Sequence, residues 1–354
     1  MPPRRRKRVD PALFELPVDR IRAGVFSDVS LNRSRDALRA SGRSASVTWQ
    51  VSAKRGGWLG GIDEAVALLK LCGDDFSALD VLALFEGDRV EPWDTVLLVE
   101  GEYAAFAHLE TLILGTLARR TRVCTNVRHL VDAARPKPIH VFGARTDHAL
   151  LQPGDGLSAH IGGAASVPTD GHGAFTGKKA IGTIPHVLIA AYGGDTVAAA
   201  LAMVATLPAD MPLAVPVDYE NDSVATSLAV ARALEGRLWG VRLDTADTMV
   251  DRSVVPQMGT FPPTGVNPAL VWNVRNALDA EGFGEVKIVA SGGFTVARIR
   301  AFEDDGVPVD AYGVGGGIHD GRWDFMADVV RLDGVPQAAA GRELRPNGRL
   351  EKVK

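Results

Sequence analysis

The sequence predicts an α/β protein with a mainly parallel sheet. Three observations carry this expectation. Short apolar strands recur from about residue 138, they end in glycine or polar residues, and helix-patterned stretches follow several of them. The clearest strands read as 139–142, 213–217, 238–243, 286–290 and 309–314, and the helices as 226–234, 268–280 and 296–303. A barrel and a doubly wound sheet both fit this alternation.

The first 135 residues have another texture. Residues 61–70 space their apolar side chains as a helix does. Val96-Leu97-Leu98-Val99 is a β-rich run, and 106–117 reads as a buried helix because Leu109, Leu112, Ile113 and Leu117 share a face. From about Ala338 the chain is polar and is expected at the surface.

Composition narrows the function. The 354 residues are 46% hydrophobic and 23% charged, with a net charge of -4. A chain this long can bury a large core without staples. A pI near 6.1 argues against a general nucleic-acid binder. Two cysteines, Cys72 and Cys124, exclude a four-cysteine zinc site and read as buried free thiols. No apolar run reaches the ~18 residues that cross a bilayer. The basic start, Met1 to Arg8, is followed by no apolar segment, so it reads as a solvated tail and not a secretory signal. These features point to the cytoplasm, with no nucleic-acid or membrane partner.

In a parallel α/β barrel, reactive groups collect at the strand carboxyl ends. The ends here are loaded with them: Gly143-Ala144-Arg145-Thr146-Asp147-His148, Gly182-Thr183-Ile184-Pro185-His186, Asp218-Tyr219-Glu220-Asn221-Asp222, Arg242-Leu243-Asp244-Thr245-Ala246-Asp247, Ser291-Gly292-Gly293 and Gly315-Gly316-Gly317. Acids, arginines, histidines and glycine turns on one mouth suit an anionic substrate bridged by a divalent cation. Glycines let backbone N–H groups approach a phosphate, and a following helix adds its positive end. The two glycine turns follow the last two strands, where barrels commonly hold phosphate. Asp218, Glu220, Asp244 and Asp247 are candidates for Mg²⁺ or ribose hydroxyls, since Mg²⁺ usually takes one or two carboxylates plus substrate phosphates. A Rossmann reading of Gly313-Val314-Gly315 fails, because Ile318 stands where a third glycine belongs. A Walker lysine motif is absent. His160, His172 and His319 read as hydrogen-bonded structural groups.

Together these residues resemble the nicotinate phosphoribosyltransferases, especially the shorter archaeal-type members, over roughly residues 20–335. The landmarks are Gly61-Ile62-Asp63-Glu64-Ala65, Glu100-Gly101-Glu102-Tyr103, Leu109-Glu110-Thr111-Leu112-Ile113-Leu114-Gly115, Phe142-Gly143-Ala144-Arg145, Gly182-Thr183-Ile184-Pro185-His186, Val241-Arg242-Leu243-Asp244 and Ser291-Gly292-Gly293. Any one is weak, and seven in order are strong.

The resemblance implies the type II phosphoribosyltransferase fold, an irregular α/β barrel with an N-terminal α/β sandwich domain. The layout expected is a basic disordered tail at 1–19, the sandwich at 20–135, the barrel at 136–335, and a segment at 336–354 on the surface or on the N-terminal domain. The resemblance also implies a homodimer or higher oligomer. It implies that nicotinate and phosphoribosyl pyrophosphate give nicotinate mononucleotide for NAD synthesis, with Mg²⁺ and with ATP hydrolysed through a phosphorylated histidine, here His186. Arg145 and Asp244 join His186 as expected catalytic groups, Arg145 on the pyrophosphate and Asp244 on the ribose. His148, Thr183, Asp218, Arg242, Ser291, Gly292, Gly293, Gly315 and Gly316 are the expected substrate-binding set, and Asp244, Asp247 and Glu220 the metal set.

Three departures from the family pattern stand out. Ser30 and Leu31 replace an aromatic pair, Thr146 replaces a second arginine, and Thr245-Ala246 replaces Ser-Gly. The first two bear on which base is accepted. They leave open quinolinate or another pyridine, or a non-catalytic paralogue that binds nucleotides and regulates.

Overall fold

The structure is a computed structural model that describes residues 6–208, 211, 213–259 and 261–354. The chain divides into two compact units. One holds the residues up to Asn126, with Pro153–Gly162 and His319–Lys354, and the other holds Val127–Gln152 and Gly163–Ile318.

The first unit is built on a six-stranded antiparallel sheet. Its order is Val335–Pro336, Phe325–Leu332, Ser46–Ala53, Thr95–Glu102, Asp80–Ala83 and Glu351–Lys352. The strand Ser46–Ala53 is buried from Val47 onward. Trp49 meets the edge of Phe106 at 5.7 Å, in a core shared with Ile62, Leu68, Leu69, Leu97 and Ile113. Gln50 and Thr95 are buried polar groups that need partners. Thr95 Oγ1 donates to Arg345 O at 2.6 Å, and Arg345 N–H donates to Gln50 Oε1 at 2.8 Å. The polar last residues thus satisfy core groups of this unit.

Several sequence expectations shift here. The helix expected at 106–117 begins instead with 3-10 turns, Tyr103–Ala105 and Ala107–Leu109, and then runs from Glu110 to Ala134. Its buried positions continue through Val123, Cys124, Val127 and Leu130, so nothing ends it at 117. The basic start is not free from residue 6 on. Arg8 Nη1 donates to the buried Asp63 at 2.7 Å, and the guanidinium carbon lies 4.4 Å from the Phe85 ring centre. Arg6 pairs with Asp88. A buried carboxylate needs such a partner. Residues 1–5 lie outside the described residues.

The two units also interleave relative to divisions at 135 and 335. Val51 pairs with Ala327, which draws the chain after Ile318 into the first sheet. Asp155 bonds Arg119 and Arg120, which draws in Pro153–Gly162.

The helix Ile62–Cys72 starts at Gly61, which has no side chain to cap it. Glu86 serves instead, accepting N–H bonds from Gly61 and Asp63, each at 3.0 Å. Burial first, and then the neighbouring Asp63 charge, push its carboxyl up to about 8 from an ordinary 4.5. The folded protein therefore keeps a proton that the unfolded chain releases. That stability is full below about pH 4.5 and is lost as pH rises through about 8. Denaturation at pH 6 and pH 9 is expected to show a fall of up to about 1.4 kcal/mol per pH unit from this group. Glu86→Gln is expected to flatten the fall, and an unchanged slope would remove Glu86 as its source.

The second unit holds a five-stranded parallel sheet, in the order Ile139–Val141, Ala311–Val314, Lys287–Ala290, Leu238–Leu243, Leu213–Pro216. The expected barrel thus takes the form of an open half-barrel with two edge strands. An isolated bridge between His140 and Ser166 extends one edge. The helices Ser223–Leu234, Pro268–Ala280 and Val296–Asp304 begin at Asp222, Asn267 and Thr295, whose side chains each accept an N–H bond from the first turn. These caps set where each strand-end loop stops. Among the described residues no helix is long and apolar enough to cross a membrane.

Candidate active site

Side chains two apart on a strand share a face. Arg242 ends one such row, with Pro216 and Val289 beside it in register on the neighbouring strands. Its guanidinium lies 4.9 Å from the Phe142 ring centre, so Phe142 shares that face. Three side chains hold the guanidinium. Nη2 donates to Asp244 Oδ2 at 2.6 Å, Nε to Ser291 Oγ at 2.8 Å, and Nη1 to Thr183 Oγ1 at 3.3 Å. Ser291 Oγ in turn donates to Asp244 Oδ1 at 2.7 Å. Arg242, Asp244 and Ser291 therefore close one knot, and Thr183 joins it through Arg242 from a loop that no strand leads into, unlike the strand end expected there.

The glycine turn lies against this knot. Gly292 and Gly293 have φ of 85° and 67°, a conformation that favours glycine. A methyl group at Gly292 would sit 3.4 Å from Asp244 Oδ1, and one at Gly293 would sit 3.6 Å from Asp247 Oδ2. Asp244 and Asp247 thus flank the turn. A second cluster joins through Phe142. A methyl at Gly315 would lie 3.8 Å from Phe142 O, and one at Gly316 would lie 3.9 Å from Thr146 Cγ2. Gly143–Arg145 forms a 3-10 turn beside them, and Arg145 is exposed with no partner among the described residues.

His186 stands at the start of the short helix His186–Ala191. Its Nε2 is 3.2 Å from Asp218 Oδ1, and its ring meets Tyr219 edge-on at 5.7 Å. The histidine is half exposed, while the Asp218 side chain is only 9% exposed. A protonated ring or an Nε2–H tautomer donates here, and either leaves Nδ1 available.

Two expected residues lie elsewhere. Glu220 lines a pocket of about 420 Å³ with Asp195, Thr196 and Thr226, and neither Asp244 nor Asp247 borders it. The expected metal trio is therefore not assembled, because its loop turns Glu220 toward the 193–197 segment. Among the described residues no three His, Cys, Asp or Glu side chains converge on one metal position. His148 caps a local turn through Nδ1, which accepts from Leu150 N–H at 3.2 Å. His172, expected to be structural, is buried with Nδ1 2.7 Å from Thr169 Oγ1.

Other residues went unread. Phe142, His140, Trp239, Ala214 and Val289 line an apolar pocket beneath Thr183. His140 Nδ1 is 2.8 Å from Ser166 Oγ, and burial lowers its pKa, which favours the neutral ring. Alternation within the strands was the available signal, since His140 and Phe142 are two apart.

The fold and these loops define an α/β half-barrel protein that gathers its polar groups at the strand carboxyl ends. Comparisons with known proteins agree. Residues 32–121 match the model of the quinolinate phosphoribosyl transferase N-terminal domain. A nicotinate-nucleotide pyrophosphorylase structure from Pyrococcus furiosus aligns with a TM-score of 0.80 and 31% identity, over 96% of this chain and 85% of that one. Human nicotinic acid phosphoribosyltransferase shares the fold, with a TM-score of 0.69 and 18% identity over 88% of this chain and 76% of that one. A nicotinate phosphoribosyltransferase of Mycobacterium tuberculosis is 29% identical over 290 residues, which are 78% of this chain and 59% of that protein. The chain thus spans about three fifths of the length of this curated relative. The chain belongs to the type II phosphoribosyltransferase family.

Proposed function

We propose that the second unit transfers a phosphoribosyl group from phosphoribosyl pyrophosphate to the ring nitrogen of nicotinate. The observation that carries this reading is the Arg242–Asp244–Ser291 knot set against the Gly292–Gly293 turn and the Phe142 pocket. An apolar pocket with a flat wall suits a pyridine ring. Glycine N–H groups suit the 5′-phosphate, and Asp244 suits the ribose hydroxyls. The nitrogen lone pair forms the bond to the anomeric carbon as the carbon–oxygen bond to pyrophosphate breaks, and that electron pair leaves with the pyrophosphate. Positive charge grows on the ribose in between, and groups placed in advance stabilise it. Arg145 would take the pyrophosphate; its exposure and its lack of a partner among the described residues support that role.

Asp247, beside the Gly293 turn, would hold Mg²⁺, alone or with Asp244, whose two oxygens each accept one bond and keep a lone pair. A bound Mg²⁺ would neutralise the leaving pyrophosphate. One or two carboxylates suffice when phosphates supply the remaining ligands.

His186 is the residue through which ATP hydrolysis would couple. Its exposure and its Asp218 partner support this role, since a neighbouring carboxylate orients the ring. In His186→Ala the ratio of rates with and without ATP is expected to fall to about one. A ratio that stays high would place the coupling elsewhere.

Quinolinate is the second reading, favoured by the match of residues 32–121 to a quinolinate phosphoribosyl transferase domain. There the ring nitrogen attacks in the same way, the adjacent carboxylate leaves as CO₂, the electron pair left on that ring carbon takes up a proton from solvent, and ATP is not needed. The deciding experiment offers nicotinate, quinolinate and nicotinamide with phosphoribosyl pyrophosphate and Mg²⁺, with and without ATP, and follows products by mass spectrometry. Nicotinate mononucleotide from nicotinate, made faster with ATP, supports the first reading. The same product from quinolinate alone supports the second. Tight donor binding with no product from any base would point to a regulatory role.

A further inference from the structure

We infer that Arg298 is a positioning residue that holds the Gly292–Gly293 turn in its phosphate-binding shape. The inference rests on the phosphoribosyl reading above. Arg298 lies in the first turn of the helix Val296–Asp304 and points back at the loops. Nη1 donates to Gly292 O at 2.6 Å and Nη2 to Val266 O at 2.5 Å. One guanidinium thus ties the turn after Ala290 to the loop after Leu243. The ring centres of Phe294 and Phe302 lie 4.3 and 6.0 Å from its central carbon and hold it in place. Burial weighs against its charge, and the Asp247 carboxylate counters that cost.

The need for such a clasp follows from the backbone. Two successive glycines lose more conformational freedom on ordering than any other pair. A trans peptide points its C=O and its next N–H in opposite directions. Fixing Gly292 O on Arg298 therefore aims the Gly293 N–H away from Arg298. It also removes the alternative in which the peptide flips and presents an oxygen to the phosphate. A planar fork reaches both carbonyls at once, whereas an ammonium is a single point charge.

The effect should fall on the donor and not on the base. In Arg298→Ala, the Kd for phosphoribosyl pyrophosphate with Mg²⁺, read by calorimetry, is expected to rise about tenfold, the size of one lost charged hydrogen bond. The KM for the donor should rise with it, while the KM for the base stays as it was. Arg298→Lys, which can hold one carbonyl, should fall between the two. Melting curves show whether each variant is folded, and Arg298→Lys carries the test if Arg298→Ala is not. A donor Kd unchanged in both variants, or base and donor KM values that rise together, overturns the clasp. No donor binding by the unaltered protein overturns the phosphoribosyl reading, and the clasp with it. Binding that the variants leave unchanged overturns the clasp alone.

Discussion

Asp244→Asn is expected to lower kcat/KM for phosphoribosyl transfer by about 10²–10³-fold, the loss usually seen when one preorganised charge-stabilising group is removed. Asp244 accepts from Arg242 on one oxygen and from Ser291 on the other. An amide has only one acceptor face. If its oxygen stays with Arg242, its NH₂ meets the Ser291 hydroxyl. If it turns, its NH₂ meets a guanidinium, and two donors face each other. In the first orientation the Ser291 hydroxyl turns to Leu243 O, 3.0 Å away, and accepts from the amide, so the bond reverses; in either orientation Arg242 loses its counter-charge. Both side chains are partly solvated, at 20% and 27% exposed, so the stability cost should be small, about 1 kcal/mol or less. A large kinetic effect with a nearly unchanged melting midpoint is therefore the expected signature. Activity within threefold of the unaltered protein would move the ribose contact to another residue.

Asp155→Ala is expected to have the opposite signature, a stability loss of about 3–5 kcal/mol in urea denaturation. The Asp155 side chain is 3% exposed and accepts three bonds. Arg119 holds it with two, at 2.9 and 2.7 Å, and Arg120 adds one at 2.9 Å. Arg120 keeps Glu64 after the substitution. Arg119 loses both of these contacts where little water can replace them. The exposed pair Arg89–Glu91, at 70% and 60%, is the natural control, and its disruption should cost about 1 kcal/mol or less. Equal losses in the two variants would show that Asp155 is not a structural keystone.

Much of the second unit was readable because its signals are local. A strand ends, a polar or glycine loop follows, and a capping residue such as Asp222, Asn267 or Thr295 starts a helix. The helix Pro268–Ala280 was read to the residue for that reason. Asp244, Arg242 and Ser291 were legible because strand ends converge in any parallel sheet of this kind, whereas Thr183 reaches them from a loop that no strand precedes. Glu220 was misplaced because sequence shows that a loop is acidic but not which way each acid turns. Phe142, just after its strand, and Trp239, within one, were not legible as pocket residues because both read as core. Arg298 was missed because a lone arginine on a helix resembles any solvated one. The pairing of Val51 with Ala327 was out of reach for another reason. It joins residues far apart in the chain, and no local pattern sets that register.

That pairing has a consequence for how the protein is made. The strand Ser46–Ala53 leaves the ribosome well before its neighbour Phe325–Leu332, which is translated after the entire half-barrel. At about 5–20 residues per second the wait is roughly 15–60 s. Throughout it, one long edge of an apolar strand stands open to other nascent chains. Cells expressing this protein should therefore depend on holding factors acting during synthesis more than its final stability alone would suggest.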